Sequence, residues 1–463
     1  MSIATETAQR PAPALHAVAR RLRPLHAAVF LQALVIWFAA EKLFLSEIGF
    51  TPAAIGLMAA VYAGVVPLVE FPSGILADRW SRRGVFAVAC ASMAVCSLVG
   101  GLSNGVGLYL VSAVFLGITL AMQSGTVDSM VYDLLVEETG DGSDFTRRIG
   151  RVRLLEGLGL TAGALLGGVL SEVTSPRTTY FATIPPVLAA AALAFVFREP
   201  QLHRSEHRLS LREQLSVTVG TIADRGAVLP VLLLGAVAGV AVQLVFEFGP
   251  LWLVALAVPA VLFGPHWAAL TGTLAVGGVL AARIPWHRTG ALVILGVVMT
   301  VASAVTAVSH SLAALVVAQV VLLLALVMVG IHASQRLHDA TPSHVRAGVA
   351  SGAGTVVWLS FVPAALVFGA VAEAVGVHRA GWLLTGLVAA SAVILLRLAV
   401  APPAEADEGL GCAEVAELAT AYADDEMPPA MAAAVSEHRR FCPGCDRYVG
   451  QVRELLRGLA ALR

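Results

Sequence analysis

Apolar residues come in twelve long runs parted by short polar stretches. The runs fall at about 25–46, 53–77, 84–103, 106–134, 150–171, 178–197, 227–247, 259–282, 289–308, 311–332, 346–372 and 379–399. Each approaches or exceeds the ~20 residues a helix needs to cross a hydrocarbon core of about 30 Å. The pattern predicts twelve membrane-spanning helices. A polar, basic stretch at 198–226 separates six runs from six. After Arg397 the composition changes again: 401–411 is rich in Pro, Ala and Glu, and 412–463 is polar and helix-capable. The organisation expected is an N-terminal segment 1–24, a six-helix half 25–197, a central loop 198–226, a second six-helix half 227–400, a linker 401–411 and a small domain 412–463. The fold class is an all-α membrane protein with a small helical appendage.

Composition agrees. The chain is 58% apolar and 13% charged, with mean hydropathy +0.82, against about 25% charge in ordinary globular domains. The lipid bilayer is the expected solvent. Residues 1–24 are polar and carry Arg10, Arg20, Arg21 and Arg23. The apolar run that follows is too long for a signal peptide, so none is expected. Lys42 is the only lysine, and the arginine bias suggests a GC-rich bacterial genome. Nothing matches Gly-x4-Gly-Lys-Ser/Thr, which points to an ion gradient rather than ATP as the energy source.

The arginines set an orientation. Arg79, Arg82 and Arg83 lie between runs two and three, and Arg147, Arg148, Arg151 and Arg153 between four and five. Arg198, Arg204, Arg208, Arg212 and Arg225 lie in the central loop, Arg283 and Arg288 between eight and nine, and Arg336 and Arg346 between ten and eleven. The alternate loops carry only Arg177 and Arg379. By the positive-inside rule both termini face the cytoplasm of a bacterial inner membrane.

Between the second and third runs stands Gly74-Ile75-Leu76-Ala77-Asp78-Arg79-Trp80-Ser81-Arg82-Arg83. A weakened copy, Gly278-Val279-Leu280-Ala281-Ala282-Arg283, occurs at the matching place in the second half. This repeated loop resembles the signature loop of the major facilitator superfamily, and the resemblance extends over about 25–400. It implies two parallel six-helix repeats, each built from inverted triplets. It further implies a cytoplasmic gate of Gly74, Asp78, Arg79, Arg82 and Arg83. There the glycine permits close packing, and the carboxylate meets a helix N-terminus and an arginine. Ser81 replaces a second glycine, and Ala282 replaces the aspartate in the second copy, so the latch is expected to be asymmetric. Gly157, Gly159, Gly163, Gly167 and Gly168 in the fifth run resemble the antiporter motif of drug:proton exporters, with Ala164 in place of its usual proline. Plain small-residue helix packing accounts for the same glycines.

Ionisable groups inside a span are costly and therefore functional candidates. Glu70 and Asp128 are the first candidates for proton coupling, followed by Glu41 and Glu247, with Gln123 as a ligand-orienting amide. Gln32, Gln243, Asp133 and Glu156 are further polar groups in or near spans. Placement of Glu41 and Glu247 at the outer membrane edge, and pairing of Glu156 with Arg153 or Arg151, are the bland alternatives. Aromatics such as Phe38, Tyr62, Phe246, Trp252 and Trp358 suit a mostly apolar pocket for hydrophobic, drug-like compounds.

The last fifty residues hold Cys412, His438, Cys442 and Cys445. One nitrogen and three sulfurs make a complete tetrahedral zinc set. His438 and Cys442 lie one helical turn apart, and Cys442-Pro443-Gly444-Cys445 is a tight knuckle. A cytoplasmic location keeps such thiols reduced. The segment resembles the zinc-binding anti-sigma-factor domain, which implies docking of a sigma factor by helix packing, without direct nucleic-acid contact. A zinc-stabilised tail without a partner and unmetallated thiols are the alternatives that the residues leave open. Cys90 and Cys96 read as small apolar residues.

The expectation is a non-enzymatic secondary transporter, exporting hydrophobic compounds against protons, with a zinc-binding regulatory tail. Its partners are the bilayer, a small-molecule substrate, protons and a sigma factor, and transport needs no cofactor beyond protons. The rival readings are import of a small metabolite and a membrane sensor that sequesters a sigma factor.

Overall fold

A computed structural model describes residues 12–139, 144–200, 228–339, 341, 346–400, 410, 412–424 and 426–460. The central loop beyond residue 200 and the linker at 401–409 lie outside these. Among the described residues there is no strand. The first half comprises α1 (Ala12–Ala33), α2 (Glu41–Glu47), α3 (Pro52–Arg79), α4 (Arg82–Leu102), α5 (Val106–Gln123), α6 (Thr126–Thr139), α7 (Phe145–Val173) and α8 (Pro176–Val196). The second comprises α9 (Val228–Ala255), α10 (Phe263–Ala281), α11 (Thr289–Val308), α12 (Leu312–Asp339), α13 (Arg346–Val375) and α14 (Val377–Val400). Three short helices, α15 (Cys412–Ala423), α16 (Pro429–Phe441) and α17 (Pro443–Ala460), form the tail domain.

Helix starts carry their expected signals. Thr51-Pro52, Ser81 and Ser175-Pro176 open α3, α4 and α8. In each the hydroxyl oxygen accepts a bond from the amide three residues on, satisfying one of the unpaired donors at a helix N-terminus. Among the described residues ten helical spans are long and apolar enough to cross a membrane. Leu68, Val173 and Ile294 are 74%, 71% and 66% exposed. A patchwork of such residues would be a liability in water and is the ordinary contact surface in lipid.

Two predicted spans are broken. The run expected at 25–46 is two helices: α1 begins earlier, at Ala12, and the chain bends at 34–40 before α2. The bend is held by α8 and α4. The Ile36 amide donates to Thr183 Oγ1 at 3.0 Å, and Trp37 Nε1 donates to Ser97 Oγ at 3.1 Å. In the run expected at 106–134, Gly125 adopts a positive φ of 68° and separates α5 from α6. Such a conformation suits glycine because it lacks a Cβ.

Within the first half α4 packs on α5 and α8, α3 on α5, and α1 on α7 and α8; within the second α9 packs on α12, α13 and α14, and α11 on α12 and α14. The halves meet along α3 with α13 and α7 with α10. Both seams are glycine-lined near the α2 end of the bundle. A Cβ on Gly369 would lie 2.6 Å from the Pro52 carbonyl oxygen, and one on Gly264 2.6 Å from that of Ala164.

Candidate functional site

The bend after α1 turns Glu41 and Lys42 into the bundle. Lys42 Nζ donates to Glu41 Oε2 and to Glu247 Oε1 of α9, both at 2.5 Å. The side chains of Lys42, Glu41 and Glu247 are 3%, 10% and 9% exposed. Tyr62 on α3 donates its hydroxyl to Glu247 Oε2 at 2.7 Å, and Tyr109 on α5 donates to Glu41 Oε1 at 2.9 Å. Since Tyr109 has a single hydroxyl proton, Tyr180 is the donor in the 2.5 Å contact between their hydroxyls. Every carboxylate oxygen in the cluster therefore has a donor. Trp37 stacks on Tyr180 with ring centres 4.9 Å apart, and Phe44 flanks the same ring.

Two of these bonds cross between the halves, Lys42 to Glu247 and Tyr62 to Glu247. Glu247 lies eight residues before Ala255, and Tyr62 ten residues after Pro52. At 1.5 Å per residue these are depths of about 12 and 15 Å from the α2 end. The charges are thus well inside the bundle, not at its edge. One ammonium faces two carboxylates, so the cluster carries net charge −1 with all three ionised. Burying charge is expensive unless it is paired and hydrogen-bonded, and here the excess is one negative charge.

The other sequence-predicted polar residues lie nearer the signature-loop end. Glu70 is half-buried and accepts from Ser124 Oγ at 2.7 Å; the break at Gly125 sets that hydroxyl there. Gln123, next to it, has a buried Nε2 without a hydrogen-bond partner. Asp128 takes both its oxygens to Arg153 Nη2, at 2.7 and 2.8 Å, and Arg153 also binds Glu156. Glu70 and Asp128 therefore stand apart from the Glu41–Lys42–Glu247 cluster.

The signature loop binds its own half. Arg82 pairs with Asp133 of α6 and donates to the Ser129 carbonyl at 3.3 Å. The Glu199 carboxylate receives the Arg82 amide at 2.7 Å and Ser81 Oγ at 2.5 Å. It thereby caps the N-terminus of α4, where negative charge is favoured. Arg83 donates to the Phe197 carbonyl at 3.1 Å. The side chains of Asp78 and Arg79 lie outside the described residues. A Cβ on Gly74 or on its counterpart Gly278 would meet nothing within 4 Å. Among the described residues nothing approaches Gly74, whereas the α2 end is tightly packed.

The glycines of α7 have a definite job. A Cβ on Gly159 would lie 2.5 Å from the Phe30 carbonyl, and one on Gly163 2.9 Å from that of Val35. Gly168 faces Gly264 and Val261 across the seam with α10. They let α7 lie against the bent backbone that delivers Glu41 and Lys42.

In the tail, the ligand atoms of His438, Cys442 and Cys445 lie within 4.8 Å of one another. His438 Nε2 and Cys445 Sγ are 3.3 Å apart, and both side chains are buried. Ligands at about 2.0–2.3 Å from a tetrahedral zinc are separated by about 3.5 Å, so donor chemistry, spacing and burial fit this ion. His438 lies in the last turn of α16 and Cys442 caps the helix, its amide donating to the His438 carbonyl at 2.9 Å. Cys442 also precedes Pro443, the first residue of α17. The Cys412 side chain lies outside the described residues. Val415, Ala419, Val435 and Val449 form the small core around the knuckle.

Sequence reasoning did not bring Lys42, Tyr109 and Tyr180 into the site, nor Glu199. The sole lysine, inside an apolar run and beside a glutamate, was the available signal for the first. The tyrosines and Glu199 acquire meaning only through contacts at long sequence separation.

Comparison with known proteins agrees with this architecture. The family described as Major Facilitator Superfamily matches residues 25–358, and the family described as Putative zinc-finger matches 412–445. A curated relative, the MFS-type efflux transporter ffsH of Aspergillus flavipes, is 29% identical over 143 residues, which are 31% of this chain and 24% of that protein. The chain thus matches only about a quarter of that relative's length. Among solved structures, the nucleoside transporter NupG superposes with TM-score 0.69 at 12% identity, covering 83% of this chain and 100% of that one. A bacterial homologue of the lysosomal transporter Spinster, inward-facing and unoccupied, gives 0.65 at 14% identity, covering 84% and 98%. A D-xylose-proton symporter gives 0.62 at 12% identity, covering 85% and 99%. At such identities the structures establish the fold alone. The helical bundle, its two halves and the match over most of its length agree: the chain belongs to the major facilitator superfamily and carries a C-terminal zinc-finger region.

Proposed function

We propose that this chain exports small hydrophobic compounds, cations above all, in exchange for protons, by alternating access of its two halves. The observation that carries the reading is the buried Glu41–Lys42–Glu247 cluster that joins the halves. Its excess negative charge calls for one positive charge, supplied by a proton or by a cationic substrate. With neither present, Lys42 and Tyr62 hold Glu247 and latch the α2 end shut. Either cation at Glu247 releases Lys42 to Glu41 alone and lets that end open. An empty, unprotonated carrier stays latched, and this restriction is what an exchanger needs. Glu70 and Asp128 then serve at the signature-loop end, Asp128 through its pair with Arg153.

The arginine distribution supports an orientation with the signature loop and tail in the cytoplasm of a bacterial inner membrane. In that orientation α1 and α10 complete twelve crossings. Tight packing at the α2 end and open space at Gly74 and Gly278 correspond to a conformation open to the cytoplasm. Asp78, Arg79, Arg82 and Arg83 act on closure of that side, with Gly74 packing only then. Transport, without catalysis, is the activity.

The tail supports a regulatory role. His438, Cys442 and Cys445, with Cys412 as fourth ligand, would hold zinc, which fixes the knuckle between α16 and α17. We infer that a sigma factor docks there and is released as a membrane signal; the zinc-finger match supports the zinc-held knuckle on which that docking would rest. The transport reading is tested in inside-out membrane vesicles energised to an acidic interior. Ethidium should dissipate the gradient with the wild type and not with Glu247→Gln; equal responses would overturn it.

A further inference from the structure

A second buried polar group, carried by α10 and α12, reaches α9 at the Gly249 carbonyl. His266 of α10 is 3% exposed. Its Nε2 lies 2.7 Å from Gln319 Oε1 of α12, and Gln319 Nε2 donates to the Gly249 carbonyl at 3.3 Å. The Gln319 amide is thereby oriented, with its oxygen towards the imidazole. That oxygen accepts only, so His266 Nε2 carries a proton; a second proton would bury an unpaired charge, which is costly, so the ring is assigned as the neutral Nε2–H tautomer. Its Nδ1 is then a bare acceptor, and it is buried without a hydrogen-bond partner. Gly249 keeps this relay short, since a Cβ there would sit 3.3 Å from Gln319 Oε1.

The neighbouring Trp267 has its ring 5.7 Å from Phe246 of α9 and 6.0 Å from Phe38 of the first half. Its Nε1 is likewise buried and without a partner. Residues 246–249 of α9 therefore meet aromatic rings through Phe246, the charge cluster through Glu247 and the imidazole relay through Gly249. Buried polar groups in native proteins are nearly always satisfied. An unpartnered buried acceptor next to the Trp267–Phe246–Phe38 aromatic wall describes a ligand rather than a defect.

We propose that His266 is a substrate-binding residue whose Nδ1 accepts a hydrogen bond from an N–H or O–H group of the transported compound. The substrate class this defines is an aromatic cation bearing a hydrogen-bond donor. The inference rests on the export reading above, and its test separates the two. The conservative variants divide the ring's two functions. His266→Gln keeps a donor that can reach Gln319 and removes the Nδ1 acceptor, whereas His266→Asn keeps an acceptor near Nδ1 and loses Gln319.

The experiment is equilibrium binding to the purified full chain in detergent. It uses ethidium, a planar cation with amino donors, and tetraphenylphosphonium, an aromatic cation with none. The expected result is that the wild type binds both. His266→Gln weakens ethidium about tenfold and leaves tetraphenylphosphonium within twofold, and His266→Asn recovers most of the ethidium affinity. Unchanged ethidium binding in His266→Gln overturns the assignment, as does equal loss of both ligands. Nitrogen-15 spectra of the histidines should place His266 in the Nε2–H tautomer, and the Nδ1–H form would overturn it independently. A wild type that binds neither cation instead refutes the hydrophobic-cation reading, and this inference with it; the wild-type measurement alone reveals that case.

Discussion

Replacing Glu247 by glutamine isolates the latch. The substitution keeps the size of the side chain and one carbonyl acceptor and removes the charge, as a proton would. Two charge-assisted bonds across the halves are affected, from Lys42 at 2.5 Å and from Tyr62 at 2.7 Å. Bonds to charged groups contribute about 1.5–3 kcal/mol each, and charge assistance roughly half of that. Losing it at both leaves the closed α2 end weaker by about 2 kcal/mol, roughly a thirtyfold fall in the closed-to-open ratio. Lys42 retains Glu41, so no buried charge is left alone and the fold should persist. The assay is a spin-label distance measurement across the α2 end, with labels on the exposed positions Ser46 and Ala374. Glu247→Gln at neutral pH should lengthen the distance distribution, and acidifying the wild type should move it the same way. An unchanged distribution in the variant would refute the latch.

Further outcomes follow from the same contacts. Lys42→Met leaves two buried carboxylates facing each other. Breaking such a group costs about 3–5 kcal/mol, so its thermal stability should drop at pH 8 and recover as the pH falls and protonation removes the unpaired charge. Gly264→Leu drives a side chain into the Ala164 carbonyl. It should prevent closure of the α2 end and abolish transport without loss of folded protein, read as drug susceptibility together with gel-filtration profile. Glu199→Ala removes the cap of α4 and should lower stability by about 1 kcal/mol, visible as a lower melting temperature. Cys442→Ser/Cys445→Ser should reduce zinc from one ion per chain to none by mass spectrometry, with transport unchanged; zinc retained in the variant would move the metal site elsewhere.

The bundle was legible because hydrophobic periodicity and arginine placement report directly on the bilayer. The tail was legible because metal ligation demands few residue types at fixed spacing. Glu41 and Glu247 were recognisable as costly charges. Their meeting was not, since 205 residues separate Lys42 from Glu247. The bend at 34–40 also escaped the pattern. It contains neither glycine nor proline, and it is held by tertiary bonds to Thr183 and Ser97. A continuous span would have left Glu41 near the membrane edge. Glu70 attracted attention by its depth along α3, yet its partner is Ser124, placed by the left-handed Gly125. The glycines of α7 showed themselves as a repeat, and only the structure identifies what they admit, the backbone around Val35 and the seam with α10.

The most direct measurement is the proton-to-substrate stoichiometry of the purified full chain in proteoliposomes, following ethidium by fluorescence and lumenal pH with a trapped dye. The account predicts that ethidium and protons move in opposite directions at about one proton per cation, and that the coupling disappears in Glu247→Gln. Ethidium movement without protons, or with protons in the same direction, would contradict it.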